Sequence, residues 1–232
     1  MESQSIMDGE LLTCAVTQSG SDSKIVRFKN VGNMTDLPDT LLYTKWPTMS
    51  WSGDDKGIFY MRYPPKEPGS DTTVDLNGQI FYHRIGTSQD KDLLIFEFPQ
   101  FPKRYITSQV SNDGNYIIVI GQDVNNASVI YMADLRDGID ATLKNRINPI
   151  FPDPYDANYF YITNVGSTFL FQTNKDASNG KLITVKVNTH CQSSSKENKV
   201  DSTKTACSPV SSISTFVEES KTKVIDWALP FD

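Results

Sequence analysis

The sequence predicts an all-β fold, a partial β-propeller of about three and a half four-stranded blades. One strand–turn–strand pattern recurs along the chain, clearly over residues 50–63 and 110–119 and more weakly over 161–171 and 8–12. Its turn positions, 9, 55, 114 and 166, are separated by 46, 59 and 52 residues. A repeat of about 40–50 residues with four short strands per unit is typical of propeller blades.

Taken in order, the repeats divide the 232 residues into blades. Short runs of β-branched and aromatic residues predict the first strands at 10–16, 24–31 and 41–43, with a Gly/Ser/Asp turn after the first of them. We expect one partial propeller over residues 1–232, with blades at 1–45, 46–104, 105–150 and 151–222, and the start of a further blade at 223–232.

The segment 188–212, inside the fourth blade, differs from the rest of the chain. It is rich in Ser, Thr, Lys and Asn and has almost no large apolar side chains. Such a segment buries too little apolar surface to offset the conformational entropy lost on ordering. We therefore predict a disordered, low-complexity insertion.

The composition argues against several classes of partner. The net charge of −6 and the pI near 5.0 argue against nucleic acid, which requires a basic face. The N-terminus lacks a signal-peptide pattern, and no apolar run approaches about 18 residues, so no membrane partner is expected. The three cysteines cannot all pair, and free thiols are typical of a reducing compartment. These features predict a cytoplasmic protein.

Specific strings in loops as well as strands extend this interpretation. They include Ser19-Gly20-Ser21-Asp22, Leu37-Pro38-Asp39, Lys56-Gly57-Ile58-Phe59-Tyr60, Gln79-Ile80-Phe81-Tyr82-His83-Arg84-Ile85-Gly86-Thr87 and Tyr161-Ile162-Thr163-Asn164. In this order they resemble the N-terminal propeller of prolyl oligopeptidase, and the likeness covers nearly the whole chain except the insertion.

The resemblance implies a seven-bladed propeller that caps an α/β-hydrolase domain carrying a Ser-Asp-His triad. In that family the propeller leads short peptides to the hydrolase, which cleaves after proline, and keeps folded proteins out. The partners implied are therefore the hydrolase domain and, through it, short peptides. The chain would be a non-catalytic fragment, either a true isoform or an incomplete gene model. A standalone β-propeller-like interaction protein without an enzymatic role is the alternative.

Position by position, the resemblance also implies roles for a few residues. Trp46 stands where the family places an aromatic that faces the substrate pocket. Tyr105 stands near another such apolar position, where the family has Met, and Asp22 stands at an acid near the boundary with the hydrolase. Gln122 falls where Arg is expected, which puts a substrate contact there in doubt. Trp46 and Tyr105 could equally be core aromatics, and Asp22 could be only a turn residue.

The sequence predicts no catalytic residues, metal site or cofactor in this chain. It has no GxSxG elbow, P-loop or GxGxxG motif. His83 alternates with apolar neighbours and is expected to be a partly buried strand residue, and His190 lies in the insertion, where no base is held in place. The acids of 54–56 and 90–92 are interpreted as solvated turn residues.

Overall fold

The computed structural model describes residues 3–5 (backbone only), 10–17, 23–44, 48–65, 75–122, 127–151, 157–188, 208–225 and 228. These residues form β-strands connected by turns, with two short 3₁₀ helices at Gln89–Lys91 and Leu143–Asn145 and no α-helix. The all-β prediction is confirmed. The part of the chain that the structure describes holds no helix of the length and hydrophobicity that a bilayer crossing requires.

The strands form four sheets of four strands each, and within every sheet the strands are neighbours in chain order. The first sheet contains β1 (Ser3–Ser5), β2 (Leu11–Thr17), β3 (Lys24–Asn30) and β4 (Asp36–Thr44). The second contains β5 (Met49–Trp51), β6 (Gly57–Arg62), β7 (Gln79–Arg84) and β8 (Leu93–Glu97).

The third sheet contains β9 (Tyr105–Val110), β10 (Tyr116–Gln122), β11 (Ser128–Asp134) and β12 (Asn148–Pro149). The fourth contains β13 (Tyr159–Val165), β14 (Thr168–Thr173), β15 (Lys181–Val187) and β16 (Val210–Val217). Four successive four-stranded meanders are what a partial propeller requires.

The first sheet is a complete four-stranded unit, so the structure has four sheets where the sequence indicated about three and a half. The additional strand is β1, which pairs antiparallel with β2 through Ser3 opposite Cys14 and Ser5 opposite Leu12. Its Ser-Gln-Ser sequence has no apolar alternation. Backbone pairing to an existing strand therefore defines β1, and the pattern of its side chains does not reveal it.

The repeated turn positions share a left-handed backbone. Asp55, Gly114 and Gly166 have φ angles of 56°, 73° and 55°, while position 9 lies outside the described residues. The first two turns also share a hydrogen bond from a serine hydroxyl to an aspartate two residues on, 2.7 Å at Ser52 and 2.6 Å at Ser111. The repeat in the sequence is therefore a repeat in turn geometry, which favours Gly and Asp at these positions.

The chain divides into two compact units, the first formed by Met1–Val110 with Val119–Gly121 and the second by Ser111–Ile118 with Gln122–Asp232. In the first unit a hydrophobic cluster takes side chains from both the first and second sheets. β6 is buried on both faces along most of its length, so it shows a continuous apolar run and no alternation. The cluster contains Ala15, Val26, Phe28, Leu41, Met49, Trp51, Ile58, Tyr60 and Phe81.

The second unit has an aromatic core of its own. Tyr116 meets Phe169 edge-on with ring centroids 5.0 Å apart, and Phe151 stacks on Tyr159 at 3.7 Å and meets Phe171 edge-on at 5.5 Å. Phe169 and Phe171 are fully buried at alternate positions of β14, so both side chains lie on the same face of the strand. Edge-on and stacked rings add to the stability that their buried area provides.

The predicted insertion joins the neighbouring ends of β15 and β16. Val187 pairs with Val210, and the amide of Asn188 donates to the carbonyl of Pro209 at 2.9 Å. Residues 210–212 belong to β16, so the insertion predicted over 188–212 ends too late, and residues 189–207 lie outside the described part. The Ser/Thr-rich composition of β16 explains why the boundary was misplaced.

Residues 223–225, at the predicted start of a further blade, form no strand. The amide of Ile225 donates to the carbonyl of Asn179 at 2.8 Å, and Gln172 Nε2 donates to the carbonyl of Ile225 at 2.7 Å. This short segment therefore lies against the β14–β15 end of the fourth sheet. Residues 226, 227 and 229–232 lie outside the described part.

Deleting residues 189–207 is expected to leave the thermal midpoint unchanged within error, because a three-residue loop of Asn188, Ser208 and Pro209 can then close the β15–β16 hairpin. A matched deletion of 189–212 also removes the residues that pair with Val187 and Lys186. It should lower the midpoint by at least about 2–4 °C. Thermal melts by circular dichroism compare the two. A large loss in the shorter deletion would show that the insertion packs.

The isolated chain is expected to self-associate through β16, the edge strand of the fourth sheet. The strand carries no charge, and Ile213, Phe216 and Val217 are 53%, 64% and 41% exposed. Uncharged, apolar edge strands pair readily with other strands. Sedimentation velocity should show concentration-dependent assembly, and Thr215→Lys should suppress it. A wild-type monomer at all concentrations would contradict this expectation.

Candidate functional site

Of the three side chains assigned roles by resemblance, the structure describes only Tyr105. Trp46 and Asp22 lie outside the described residues. Tyr105 is half-buried at the first position of β9, and Gln122 is half-buried at the last position of β10. The substrate-facing role of Trp46 and Tyr105 and the boundary role of Asp22 therefore stay predictions.

Arg104, the residue directly before Tyr105, packs against two aromatic rings. The buried Arg104 guanidinium lies 4.7 Å from the ring centre of Phe98 and 4.1 Å from that of Phe101. Gly121 lies so close that a Cβ there would stand 2.6 Å from Phe98 and 2.8 Å from Arg104. A guanidinium placed over aromatic rings is favourable, and here the contact helps to fix the residue directly before β9.

A second group of polar side chains is fully buried in the first unit, around His83 on β7. His83 Nδ1 lies 2.7 Å from Asp92 Oδ1, and His83 Nε2 lies 3.1 Å from Asp39 Oδ1. The His83 side chain has no exposed surface, and those of Asp92 and Asp39 are 0% and 1% exposed. We refer to these three residues as the acid–histidine cluster.

The acid–histidine cluster connects the first sheet with the second, because Asp39 lies on β4 and His83 on β7. The Gly86 amide donates to Asp39 Oδ1 at 2.6 Å, and the Tyr60 hydroxyl donates to Asp92 Oδ2 at 2.7 Å. Asp39 Oδ2 is buried without a hydrogen-bond partner. The Gly86 amide and the Tyr60 hydroxyl both use the aspartate oxygens as acceptors, while the roles of the two His83 nitrogens depend on the protonation of the ring.

Gln89 adds a further connection between the two sheets. Its amide donates to the carbonyl of Leu42 at 3.1 Å and to the Tyr60 hydroxyl at 3.0 Å, and its Oε1 accepts from the amide of Leu42 at 3.0 Å. This side chain thus pairs with the β4 backbone in the way a neighbouring strand would. We call the contact region between the first and second sheets the seam. It is polar near Gln89 and the acid–histidine cluster and apolar along the hydrophobic cluster.

Charge and burial shift the ionisation of this group in opposite directions. Burial disfavours the imidazolium, but the hydrogen bond and charge of Asp92, followed by those of Asp39, raise the pKa of His83 above its ordinary value. Burial and the charge of Asp92 likewise raise the pKa of the Tyr60 phenol. The two carboxylates therefore favour the cationic form of His83, and burial opposes it.

The cluster cannot perform general base catalysis, because both ring nitrogens of His83 already face carboxylates and the ring is closed to solvent. Among the described residues no group of three or more His, Cys, Asp and Glu could hold a metal ion. The arrangement is that of a structural ion pair.

The interpretation of the acids at 90–92 as solvated turn residues is wrong for Asp92. His83 is more deeply buried than expected as well, with none of its surface exposed. Sequence reasoning missed the cluster because its members are 44 and 9 residues apart. The available signal was a single histidine within the apolar run of β7, since a buried histidine needs polar partners.

In the second unit, a polar group connects two of the repeated turns. Asn164 Nδ2 donates to Asp113 Oδ2 at 2.8 Å and to the carbonyl of Gly166 at 3.0 Å, while the Tyr161 hydroxyl donates to Asn164 Oδ1 at 2.8 Å. Partial burial opposes ionisation of Asp113, but hydrogen bonds from Ser111 and Asn115 lower its pKa. These contacts satisfy turn residues and leave no group positioned for chemistry.

The family model described as the prolyl oligopeptidase N-terminal beta-propeller domain matches residues 3–224. The chain belongs to this family. The resemblance found in the loop strings is thereby confirmed, and the four sheets are propeller blades of the prolyl oligopeptidase type.

Relatives in sequence carry the same description. Prolyl oligopeptidase A of Amanita bisporigera is 32% identical over 77% of the chain and 26% of its own length. The prolyl endopeptidase of Elizabethkingia meningoseptica is 31% identical over 75% of the chain and 24% of its own length. The chain therefore spans about a quarter of the length of the curated relatives it matches.

Solved structures agree on the fold. Prolyl oligopeptidase B from Galerina marginata, bound to a 35mer hydrolysis and macrocyclization substrate, superposes with a TM-score of 0.78 at 24% identity, covering 95% of this chain and 29% of that one. Oligopeptidase B from Leishmania major superposes with a TM-score of 0.65 at 20% identity, covering 80% and 24%. At these identities the likeness extends to the fold alone.

Proposed function

We propose that the chain forms the N-terminal blades of a propeller that caps an α/β-hydrolase domain and controls which substrates reach it. Short peptides would enter, folded proteins would be kept out, and the hydrolase would cleave after proline. The main support is the family match over residues 3–224, together with four consecutive meander sheets in the same order as blades. The acidic net charge and the free Cys14 thiol favour a cytosolic location.

A chimera tests the gating role. The N-terminal segment of the Elizabethkingia meningoseptica prolyl endopeptidase that this chain matches would be replaced by this chain. The chimera should cleave a short proline-containing peptide and leave the same sequence intact when it is inserted into a folded protein. The unmodified host enzyme is the control. A folded chimera that cleaves both substrates equally well would contradict the gating role.

The isolated chain is expected to hydrolyse no proline-containing chromogenic peptide above the buffer background. It contains two histidines. His83 is bonded at both nitrogens and closed to solvent, and His190 lies outside the described residues. Turnover by purified chain, measured by absorbance, should remain at background in wild type and in His190→Gln alike. Turnover that disappears in His190→Gln would show that the chain carries chemistry of its own.

A standalone interaction protein is the second candidate, and the exposed apolar side chains of β16 favour it. If the chain acts alone, a partner that covers Ile213 and Phe216 should bind at this edge. Thr215→Lys would then abolish partner capture but should leave cleavage by the chimera unchanged. The two candidates therefore give different results with the same substitution.

A further inference from the structure

We propose that His83 acts as a proton-dependent fastener of the seam between the first and second sheets, closed while both ring nitrogens carry hydrogen and opened on the Asp39 side when one is lost. This goes beyond the gating role and does not depend on it. All the contacts involved belong to the acid–histidine cluster or to its direct neighbours, and they lie within the first unit.

Both contacts of His83 with the carboxylates can be hydrogen bonds only when the ring carries a hydrogen on each nitrogen. A neutral imidazole has one N–H donor and one bare nitrogen that can only accept. Because carboxylates face both nitrogens at 2.7 and 3.1 Å, a neutral His83 would place a lone pair against a carboxylate oxygen. That contact changes from attraction to repulsion in a site closed to solvent, where charge interactions are strong.

The Asp39 side is the one expected to open. Its distance to His83 is 3.1 Å against 2.7 Å for Asp92, and Asp92 is further anchored by the Tyr60 hydroxyl. Asp39 Oδ2 has no hydrogen-bond partner, and Asp39 and Gly86 line a cavity of about 370 Å³ that gives the Asp39 side chain room to move. Loss of the Nε2 hydrogen therefore releases Asp39 and, with it, the bond from the Gly86 amide.

Among the described residues, the titratable groups that face His83 are Asp39 from β4, Asp92 from the turn before β8 and, through Asp92, Tyr60 from β6. From β3 the ring of Phe28 covers the imidazole, with centroids 5.7 Å apart, and excludes water on that side. Both acids raise the pKa of His83 against the effect of burial. The stability that the fastener contributes is thus complete below the ordinary histidine value of about 6.5 and is lost as the pH rises through the higher folded value.

Nuclear magnetic resonance of the full chain with isotopically labelled histidine tests the fastener. The chain has two histidines, so His190→Gln assigns the remaining signal to His83. The His83 midpoint should lie above the ordinary value of about 6.5, with both ring nitrogens protonated below it. A midpoint at or below about 6.5 would overturn the proposal.

Amide hydrogen exchange measures the opening itself. After correction for intrinsic rates, protection of the Gly86 amide should fall about tenfold or more across the His83 midpoint. Protection of the Val187 amide, which bonds to Ser167 at 2.9 Å in the second unit, should stay constant. Equal behaviour of the two amides would overturn the proposal even if His83 titrates as expected.

Asp39→Asn separates a fastener from a merely structural residue. The amide keeps the size of the side chain and removes its charge, so both the His83 midpoint and the pH of opening should fall by about one unit or more. Asp54→Asn, at a half-exposed carboxylate of the β5–β6 turn, is the matched control and should move neither. A midpoint that Asp39→Asn leaves unchanged would count against the role of Asp39.

Discussion

Replacing Asp92 by alanine is expected to destabilise the first unit by about 3–5 kcal/mol, because it leaves the buried His83 without its nearest carboxylate partner. The Asp92 side chain is fully buried, 2.7 Å from His83 and 2.7 Å from the Tyr60 hydroxyl. Alanine removes both acceptors and leaves a cavity beside the Tyr60 hydroxyl and the His83 ring. Urea denaturation followed by tryptophan fluorescence would show a lower midpoint.

Asp90→Ala is the matched control, since Asp90 lies two residues earlier in the same turn and is exposed. Its carboxylate takes part only in local contacts within the turn, and its substitution should leave the denaturation midpoint within error. Equal losses in the two variants would mean that the turn, and not the buried ion pair, determines stability here.

Gly57→Ala is the second change with a large expected effect, a loss of about 3 kcal/mol from overpacking. A Cβ at this first position of β6 would lie against the backbone carbonyl of His83 and 2.5 Å from Tyr82 Cζ. The carbonyl belongs to the β6–β7 ladder, where Gly57 pairs with Arg84, so it cannot withdraw without breaking that pairing. Urea denaturation of the purified variant measures the loss.

Gly86→Ala is the control for Gly57→Ala. Gly86 has a φ of 83° and nothing within 4 Å of an added Cβ, so alanine there meets backbone strain without a steric clash. The expected loss is about 1–2 kcal/mol. A Gly57→Ala variant as stable as Gly86→Ala would show that β6 and β7 can separate enough to admit the methyl group.

The turns were the most predictable part of the fold, for a local physical reason. Asp55, Gly114 and Gly166 adopt left-handed backbone angles that few residue types tolerate, so composition alone marks them. β1 and the boundary of β16 were not predictable in this way. Both strands are held by pairing with a neighbour, and Ser3–Ser5 and the Ser/Thr positions of β16 carry no apolar pattern that reports it.

The acid–histidine cluster was beyond local sequence reasoning because its chemistry depends on distant contacts. Asp92 occurs in an ordinary turn sequence, and only the approach of β4 and β7 turns it into a buried ion-pair partner of His83. Tyr105 is a different case, since β9 begins at the residue where the third blade was predicted to begin, while the substrate-facing role of this side chain stays a prediction. Position in a blade follows from pattern, whereas function follows from what the blade contacts.

Sequencing the full-length transcript tests whether this chain is part of a peptidase. We expect the reading frame to continue past Asp232 into further propeller blades and an α/β-hydrolase domain with a GxSxG nucleophile elbow, followed by the Asp and His of a triad. A stop codon directly after Asp232, found in independently cloned transcripts, would contradict the proposal that this chain gates a peptidase.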